Sequence, residues 1–306
     1  MAQRTLGLDV GTRSVKAVVV EGAYRGYTVL ATARADVEQA SGPEAPPLRE
    51  RQAAAVKRLL AEAHLAFDSA VVALPGAPAS QVITLPFVDP RRIDQTVGFE
   101  VESQIPFDLA EVVWDWQPLG TREGKTELLV SVVRKEEMAG LLAALADAGV
   151  DPRVAAPPAP SYAPLFAAGA VAATPVRFVP AEGEPPPSDA PVAPAVAEAP
   201  GAEALLDVGA ARTSLCVVAG GACEAARTIP LGSRDVVQRM ASLLGTTEDA
   251  VWALLGAVAR GEAPPEAAAG LADGRAAAAR AALAQATAPL ARELRATLRA
   301  WRARLG

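Results

Sequence analysis

An α/β fold of two lobes, each opening on a β-hairpin, is what the sequence predicts, and two observations carry that expectation. The first is an internal repeat. Leu6-Gly-Leu-Asp-Val-Gly11-Thr-Arg-Ser-Val-Lys16-Ala-Val-Val-Val20 is echoed by Leu205-Leu-Asp-Val-Gly209-Ala-Ala-Arg-Thr-Ser-Leu-Cys-Val-Val218, and self-similarity of this kind is the mark of a duplicated structural unit. Each copy is an apolar run ending in Asp-Val-Gly, a polar tight turn and a second β-branched run. That pattern reads as strand, turn, strand, with glycine supplying the backbone freedom the turn needs. The second observation is the alternation of strand-like and helix-like segments that follows the first hairpin, as in an α/β domain.

Taken in order, Leu48 to Leu65 has helical spacing, and Ala70 to Leu74 is a short buried-strand pattern closed by Pro75-Gly76. Asp89 before Pro90 is a helix start, since an aspartate caps the free N–H groups and proline suits the first turn. Ile93, Val97 and Val101 then recur at four-residue intervals until Ile105-Pro106 stops the helix. Glu127 to Val133 reads as a strand, and Lys135 to Ala148 as a helix ended by Gly149. Val179 to Gly201 is rich in Pro, Ala and Glu without apolar periodicity, the composition of a flexible linker. After the second hairpin, Gly245-Thr-Thr-Glu248-Asp opens a helix. The Ala-rich tail from Arg275 to Gly306 places Leu283, Leu290, Leu294, Leu298, Trp301 and Leu305 on one stripe opposite an Arg-rich face. That tail is expected to pack on its own domain with solvated arginines.

Composition excludes several functions. With 306 residues and 51% apolar content, the chain can fill two cores. A net charge of -6 with no long basic block argues against nucleic acid as a partner. Cys216 and Cys223 are too few and too close for a disulfide framework or a complete zinc site, and read as buried thiols of a reducing compartment. The acidic strand motif at Asp9 leaves no room for a leader, and no run of about 18 apolar residues exists. A cytoplasmic location is expected. The one histidine, His64, falls on the surface of a helix, which removes His-based triads and multi-His metal sites. Glu100, Glu102, Asp108 and Glu111 read as structural acids at a helix end, with no neighbour to raise one pKa for acid–base work.

A turn beginning Asp-x-Gly and continuing through Thr12, Arg13 and Ser14 can point N–H groups and hydroxyls at a phosphate while the aspartate holds hydrated Mg²⁺. Two such turns facing each other would clamp a nucleotide. The chain has neither Gly-x-x-x-x-Gly-Lys-Ser/Thr nor Gly-x-Gly-x-x-Gly after a strand, so P-loop and Rossmann readings drop out. The pair of turns resembles the two phosphate motifs of the superfamily of actin, the heat-shock chaperones and sugar kinases. Asp9, Gly11, Thr12 and Ser14 match the first and Asp207, Gly209 and Thr213 the second, with Lys16 able to neutralise a phosphate and Gly232 in a later Gly-containing turn. The implied ligand is ATP with Mg²⁺ held through water by Asp9 and Asp207. The fold so implied is the actin-like (ribonuclease H-like) one.

The stretch from Val71 to Gln117 narrows the resemblance. Val-Val-Ala-Leu-Pro-Gly76, Leu85-Pro-Phe, Phe99-Glu-Val-Glu-Ser-Gln-Ile-Pro-Phe107-Asp-Leu109 and Glu111-Val-Val-Trp-Asp-Trp116 are similar to the inserted subdomain of the PilM family of type IV pilus assembly proteins. They are still more similar to the cytoplasmic region of GspL, the platform protein of type II secretion, because Glu102-Ser-Gln-Ile-Pro-Phe has the GspL-like form. This implies a first lobe from Met1 to about Phe178 with an inserted subdomain from about Ser80 to Val133, the linker 179–201, and a second lobe from Ala202 to Gly306, shortened at its C-terminal end.

The Gly-Gly adenosine motif of the superfamily has no counterpart, and Glu248-Asp-Ala-Val-Trp-Ala stands where PilM relatives show Ala-Glu-x-x-Lys. The resemblance therefore implies a cytoplasmic scaffold at the inner membrane rather than a turnover enzyme. Its partners would be a secretion or pilus ATPase and platform proteins, and membrane association would run through them or through a transmembrane segment. Phe99, Phe107, Trp114 and Trp116 are the candidate contacts. The pilus role, with ATP and a membrane partner's N-terminal tail, is the alternative. A phosphotransferase or ATPase is the rival of another class, requiring a complete adenosine pocket.

Overall fold

The computed structural model describes residues 3–23, 26–40, 44–76, 78–167, 202–260 and 276–305. The expected linker and the boundary at Phe178 lie outside the described residues. From residue 3 to 167 the elements are β1 (Gln3–Val10), β2 (Ser14–Ala23), β3 (Gly26–Asp36), α1 (Leu48–Ala63), β4 (Ser69–Ala73), β5 (Ala79–Leu85), α2 (Pro90–Gln104), β6 (Val112–Arg122), β7 (Lys125–Arg134), α3 (Lys135–Asp147), β8 (Pro152–Ala156) and α4 (Ala163–Ala167).

The first sheet runs β3-β2-β1-β4-β8. β1 and β2 pair antiparallel from Gln3↔Gly22 to Val10↔Val15, whereas β1 and β4 pair parallel because α1 carries the chain back across the sheet. Alternation puts Leu6 and Leu8 of β1 and Val15, Ala17 and Val19 of β2 on one face, buried against Val56 and Leu59 of α1 and Leu141 and Leu145 of α3. α1 ends at Ala63, two residues before the expected Leu65, because His64 adopts the left-handed conformation with φ 47° and caps the helix while exposed.

Residues 79–134 form a separate layer of sheet order β5-β7-β6 covered by α2. The helix begins where the cap predicts: the Asp89 carboxylate accepts from Arg91 N–H at 2.9 Å. Ile93, Val97 and Val101 lie against Ile83, Leu85, Leu128 and Val130. Ile105 turns extended, as the residue before a proline must.

The second lobe contains β9 (Glu203–Val208), β10 (Thr213–Ala219), β11 (Ala222–Ile229), α5 (Ser233–Leu244), α6 (Glu248–Arg260) and α7 (Ala276–Leu305). Its sheet is an antiparallel meander, β11-β10-β9. Where β1 takes β4 as a parallel neighbour, β9 has no second neighbour among the described residues, and its Leu206 and Val208 are 43% and 44% exposed. The α7 stripe differs from expectation. Leu290 is buried as expected, but it is joined by Ala282, Ala286 and Thr297, whereas Leu283 and Leu298 face outward, because small alanines let the helix approach α5, where Ala286 meets Val237 and Met240. The side chain of Leu305 lies outside the described residues. Arg227 on β11 fastens the helix by donating to Thr297 and to Glu293 at 3.0 Å.

Cys216 and Cys223 are buried free thiols, their sulfurs 3.5 Å apart on neighbouring strands. The contact with Cys223, together with burial, pushes the Cys216 pKa up and keeps it a thiol. Both belong to a cluster in which Leu129 of β7, Ala159 and Ala163 meet Val218 and Ala226, so one core joins the inserted layer to both lobes. Leu129→Ala should cost about 2–5 kcal/mol in urea unfolding, whereas Leu142→Ala, at a position 40% exposed, should stay within about 0.5 kcal/mol.

Candidate functional site

The two hairpin turns face one another across a cavity of about 770 Å³. In the first turn Gly11 N–H donates to Ser14 O at 3.1 Å, and a Cβ on Gly11 would lie 2.7 Å from that same oxygen. The second closes equally tightly, a Cβ on Gly209 meeting Arg212 O at 2.9 Å. A glycine at each position is thus a packing requirement of the turn. Of the expected site residues, Asp9, Gly11, Thr12, Ser14, Lys16, Asp207 and Gly209 line the cavity.

Thr213 and Gly232 are not part of the lining; both shape the second turn from behind. Thr213 is fully buried and its hydroxyl donates to Leu231 O at 2.7 Å. Gly232 begins α5, donating to the Asp235 carboxylate at 2.8 Å, with a Cβ excluded by Ala210 O at 2.4 Å. The turn carbonyls in turn serve α5, since Gly209 O accepts from Ser233 N–H at 2.8 Å and Ala210 O from Arg234 N–H at 3.0 Å.

Contacts that the motifs did not indicate bind the lobes together. Arg212, on the second turn, reaches across the cleft and donates to Leu74 O at 3.0 Å and to Gly76 O, both just past the end of β4. Tyr162, preceding α4, donates its hydroxyl to the Asp207 carboxylate at 2.6 Å. Arg13 lies 4.1 Å from the centroid of the Trp252 ring on α6, a cation–π contact, and Arg234 approaches the Gln39 side chain at 3.4 Å. Behind the first turn, buried Gln52 donates to Gly11 O at 2.9 Å and accepts from Arg49, which pairs with Glu137 at 2.5 Å.

The electrostatics follow from this enclosure. Burial lowers the Arg212 pKa, and the surrounding Asp9, Tyr162 and Asp207 oppose that shift. Burial raises the Tyr162 pKa, and the hydrogen bond and charge of Asp207 raise it further. Asp9 takes Lys16 Nζ at 3.2 Å, with both side chains about half exposed and the pair correspondingly weak. Among the described residues no group of three or more His, Cys, Asp or Glu gathers as a metal site. Among the described residues of the lining, one buried side-chain polar atom has no partner, the Thr12 hydroxyl.

Away from the cleft, Trp114 and Trp116 pack on the core of the inserted layer against α2, whereas the alternate residues of β6, Val113, Asp115 and Gln117, border a groove of about 260 Å³ on the other face, running past Met138 of α3 to Pro157 and Pro160. Phe107 is 40% exposed beneath the Arg134 guanidinium, and Phe99 is 71% exposed on α2. The acids beside them cap and brace the backbone. Asp108 accepts from Ala110 N–H at 2.8 Å, and Glu100 from the Gln104 amide at 2.7 Å.

A family model described as type IV pilus assembly protein PilM matches residues 7–173. The chain is similar to the solved PilM-PilN type IV pilus biogenesis complex, with 25% identity over 99% of this chain and 78% of that one and a TM-score of 0.69. It is more distantly similar to the cytoplasmic domain of EpsL, an inner membrane component of the type II secretion system of Vibrio cholerae, at 13% identity over 80% and 78% of the chains and a TM-score of 0.43. Similarity to the ethanolamine utilization protein EutJ from Carboxydothermus hydrogenoformans is 14% over 97% and 71%, with a TM-score of 0.46. No curated protein matches the chain. The chain has the actin-like fold, with the repeated hairpin opening a five-stranded sheet in the first lobe and a three-stranded one in the second among the described residues.

Because its folded pKa lies above the ordinary tyrosine value of 10.0, Tyr162 contributes stability fully below pH 10 that is lost as pH rises through the raised value. Spectrophotometric titration should show a tyrosine phase above the ordinary range, and Tyr162→Phe should remove that phase.

Proposed function

The chain belongs to the PilM family of type IV pilus assembly proteins, and from that premise we propose that it is an assembly component of a pilus machine. In this reading it holds a segment of an inner-membrane partner and couples that contact to the state of its cleft. The observation that carries the reading is the likeness to the PilM-PilN complex over 99% of the chain. The sequence leans toward the type II secretion platform on the form of Gln104-Ile-Pro-Phe107, with docking of the secretion ATPase as the role. The extent of the pilus likeness moves our preference to the pilus protein.

Two features support a partner site on the inserted layer. Val113, Asp115 and Gln117 of β6 line a groove whose opposite wall belongs to the first lobe, so a peptide there would touch both bodies and sense their relative position. Phe99 and Phe107 are exposed on the same layer, and large aromatic side chains are the residue types that dominate binding energy at interfaces. A peptide copying the cytoplasmic tail of the pilus partner should change tryptophan emission on titration, and Val113→Asp, at an exposed groove position, should weaken its binding at least tenfold. Binding unchanged in that variant would place the contact elsewhere.

The nucleotide implied by the fold suits the cleft in its phosphate-binding half. The unpartnered Thr12 hydroxyl and the glycine turns at Gly11 and Gly209 would hold phosphate oxygens, with Lys16 offsetting their charge. When bound, the nucleotide would supply a polyanion bridging the two turns. Asp9 and Asp207 are each engaged, by Lys16 and Tyr162, so Mg²⁺ would meet them only through water or after those contacts open. A ligand shifts lobe closure only by binding the open and closed states unequally, and Arg212 and Tyr162 are the contacts on which such a difference would act. Titration with fluorescent ATP and Mg²⁺ should give micromolar binding that Thr12→Val weakens about tenfold. Absence of binding to the folded protein would leave the assembly role without a nucleotide switch.

A further inference from the structure

The face of α7 that does not pack on the second lobe carries a row of arginines. Arg292, Arg295, Arg299 and Arg302 recur at intervals of three, four and three residues and are all exposed. At 100° per residue this spacing places them within roughly a quarter of the helix circumference, along a line about 15 Å long. The opposite face is committed, with Ala286 and Leu290 buried and Glu293 and Thr297 fastened to Arg227. Glu293 is the only acid between residues 276 and 305, a span with six arginines and no lysine. Among the described residues no ion pair involves Arg292, Arg299 or Arg302. Leu298, 42% exposed, borders the row.

This concentration of positive charge stands on a chain whose net charge is -6. A polyanion that surrounds the protein would meet repulsion from the rest of the surface, whereas a planar anionic surface touches one straight edge. Arginine also suits phosphodiester oxygens, because its planar fork donates two parallel hydrogen bonds and holds its hydration weakly. An apolar side chain bordering a basic row adds shallow insertion among acyl chains. We propose that the exposed arginine row of α7 docks the protein directly on an anionic phospholipid bilayer. The contact is tangential, and α7 does not span: among the described residues no helix is long and apolar enough to cross a membrane.

The test is sedimentation of the purified full chain with vesicles of phosphatidylcholine alone or with about a third phosphatidylglycerol, at low and at raised salt. A basic residue near an anionic surface contributes about a fivefold gain in partition, so the glycerol lipid should increase bound protein at least tenfold, and raised salt should reverse it. The combined variant R292Q/R295Q/R299Q/R302Q should lose that gain while keeping its helical circular dichroism. Should it fail to fold, Arg299→Glu alone reads the same surface and should weaken binding by more than fivefold. Equal binding to neutral vesicles, or an undiminished gain in a folded variant, overturns the proposal. So does capture of polyglutamate without any capture of vesicles, which would assign the row to an acidic protein.

Discussion

The relation between the two lobes rests on one reach: the Arg212 guanidinium leaving the second hairpin turn to meet the carbonyls of Leu74 and Gly76 at the end of β4. Those carbonyls lie just past the end of a parallel strand, and for Leu74, a buried residue, a carbonyl left without a donor would be unfavourable. Arg212 supplies the donors and brings its charge beside Asp9 and Asp207. Tyr162 closes the same loop from the first lobe by donating to Asp207. The cleft is thus bridged by the protein's own side chains at the height of the two glycine turns. Whatever enters must bind alongside these contacts or replace them, which makes the bridge the natural point of control.

The shared core beneath the cleft gives that control something to move. Leu129 of the inserted layer meets residues of both lobes in one cluster, and the groove beside Val113 and Asp115 is walled partly by the first lobe. A change in lobe angle would therefore alter the groove without any long-range relay. The second lobe is the simpler of the two, a meander with helices on it, and its α7 is fixed at one face by Arg227 while turning its arginines outward. Cleft and groove share no lining residue but draw on adjoining ones, Ala156 and Pro158 for the cleft and Ala155 and Pro157 for the groove, so a ligand in one would be felt in the other.

Much of this was legible in the sequence because it is written locally. The Asp-Val-Gly repeat located both turns, and the four-residue spacing of Ile93, Val97 and Val101 with the Asp89 cap gave α2 its start and its buried face. The glycines at positions 11 and 209 were legible because no other residue fits those turns. The interlobe contacts were not. Tyr162 and Asp207 are 45 residues apart, and Arg212 and Leu74 are 138 apart, with no periodicity or motif joining either pair. Thr213 reads like a phosphate ligand because its neighbours do, yet its hydroxyl is spent on Leu231 O. The α7 stripe misled for a related reason: apolar periodicity identifies a packing face only when large side chains do the packing, and here alanines do.

The most direct test measures the distance between lobes in the absence of any ligand. Spin labels on Glu62→Cys in α1 and Gln238→Cys in α5, both exposed positions, would report it by pulsed electron resonance, since the native thiols are buried. The account predicts one narrow distance population for the ligand-free protein and a broadened, longer one when Arg212→Ala and Tyr162→Phe are combined in the same labelled chain. A broad population in the ligand-free protein, narrowing only when ATP and Mg²⁺ are added, would contradict it.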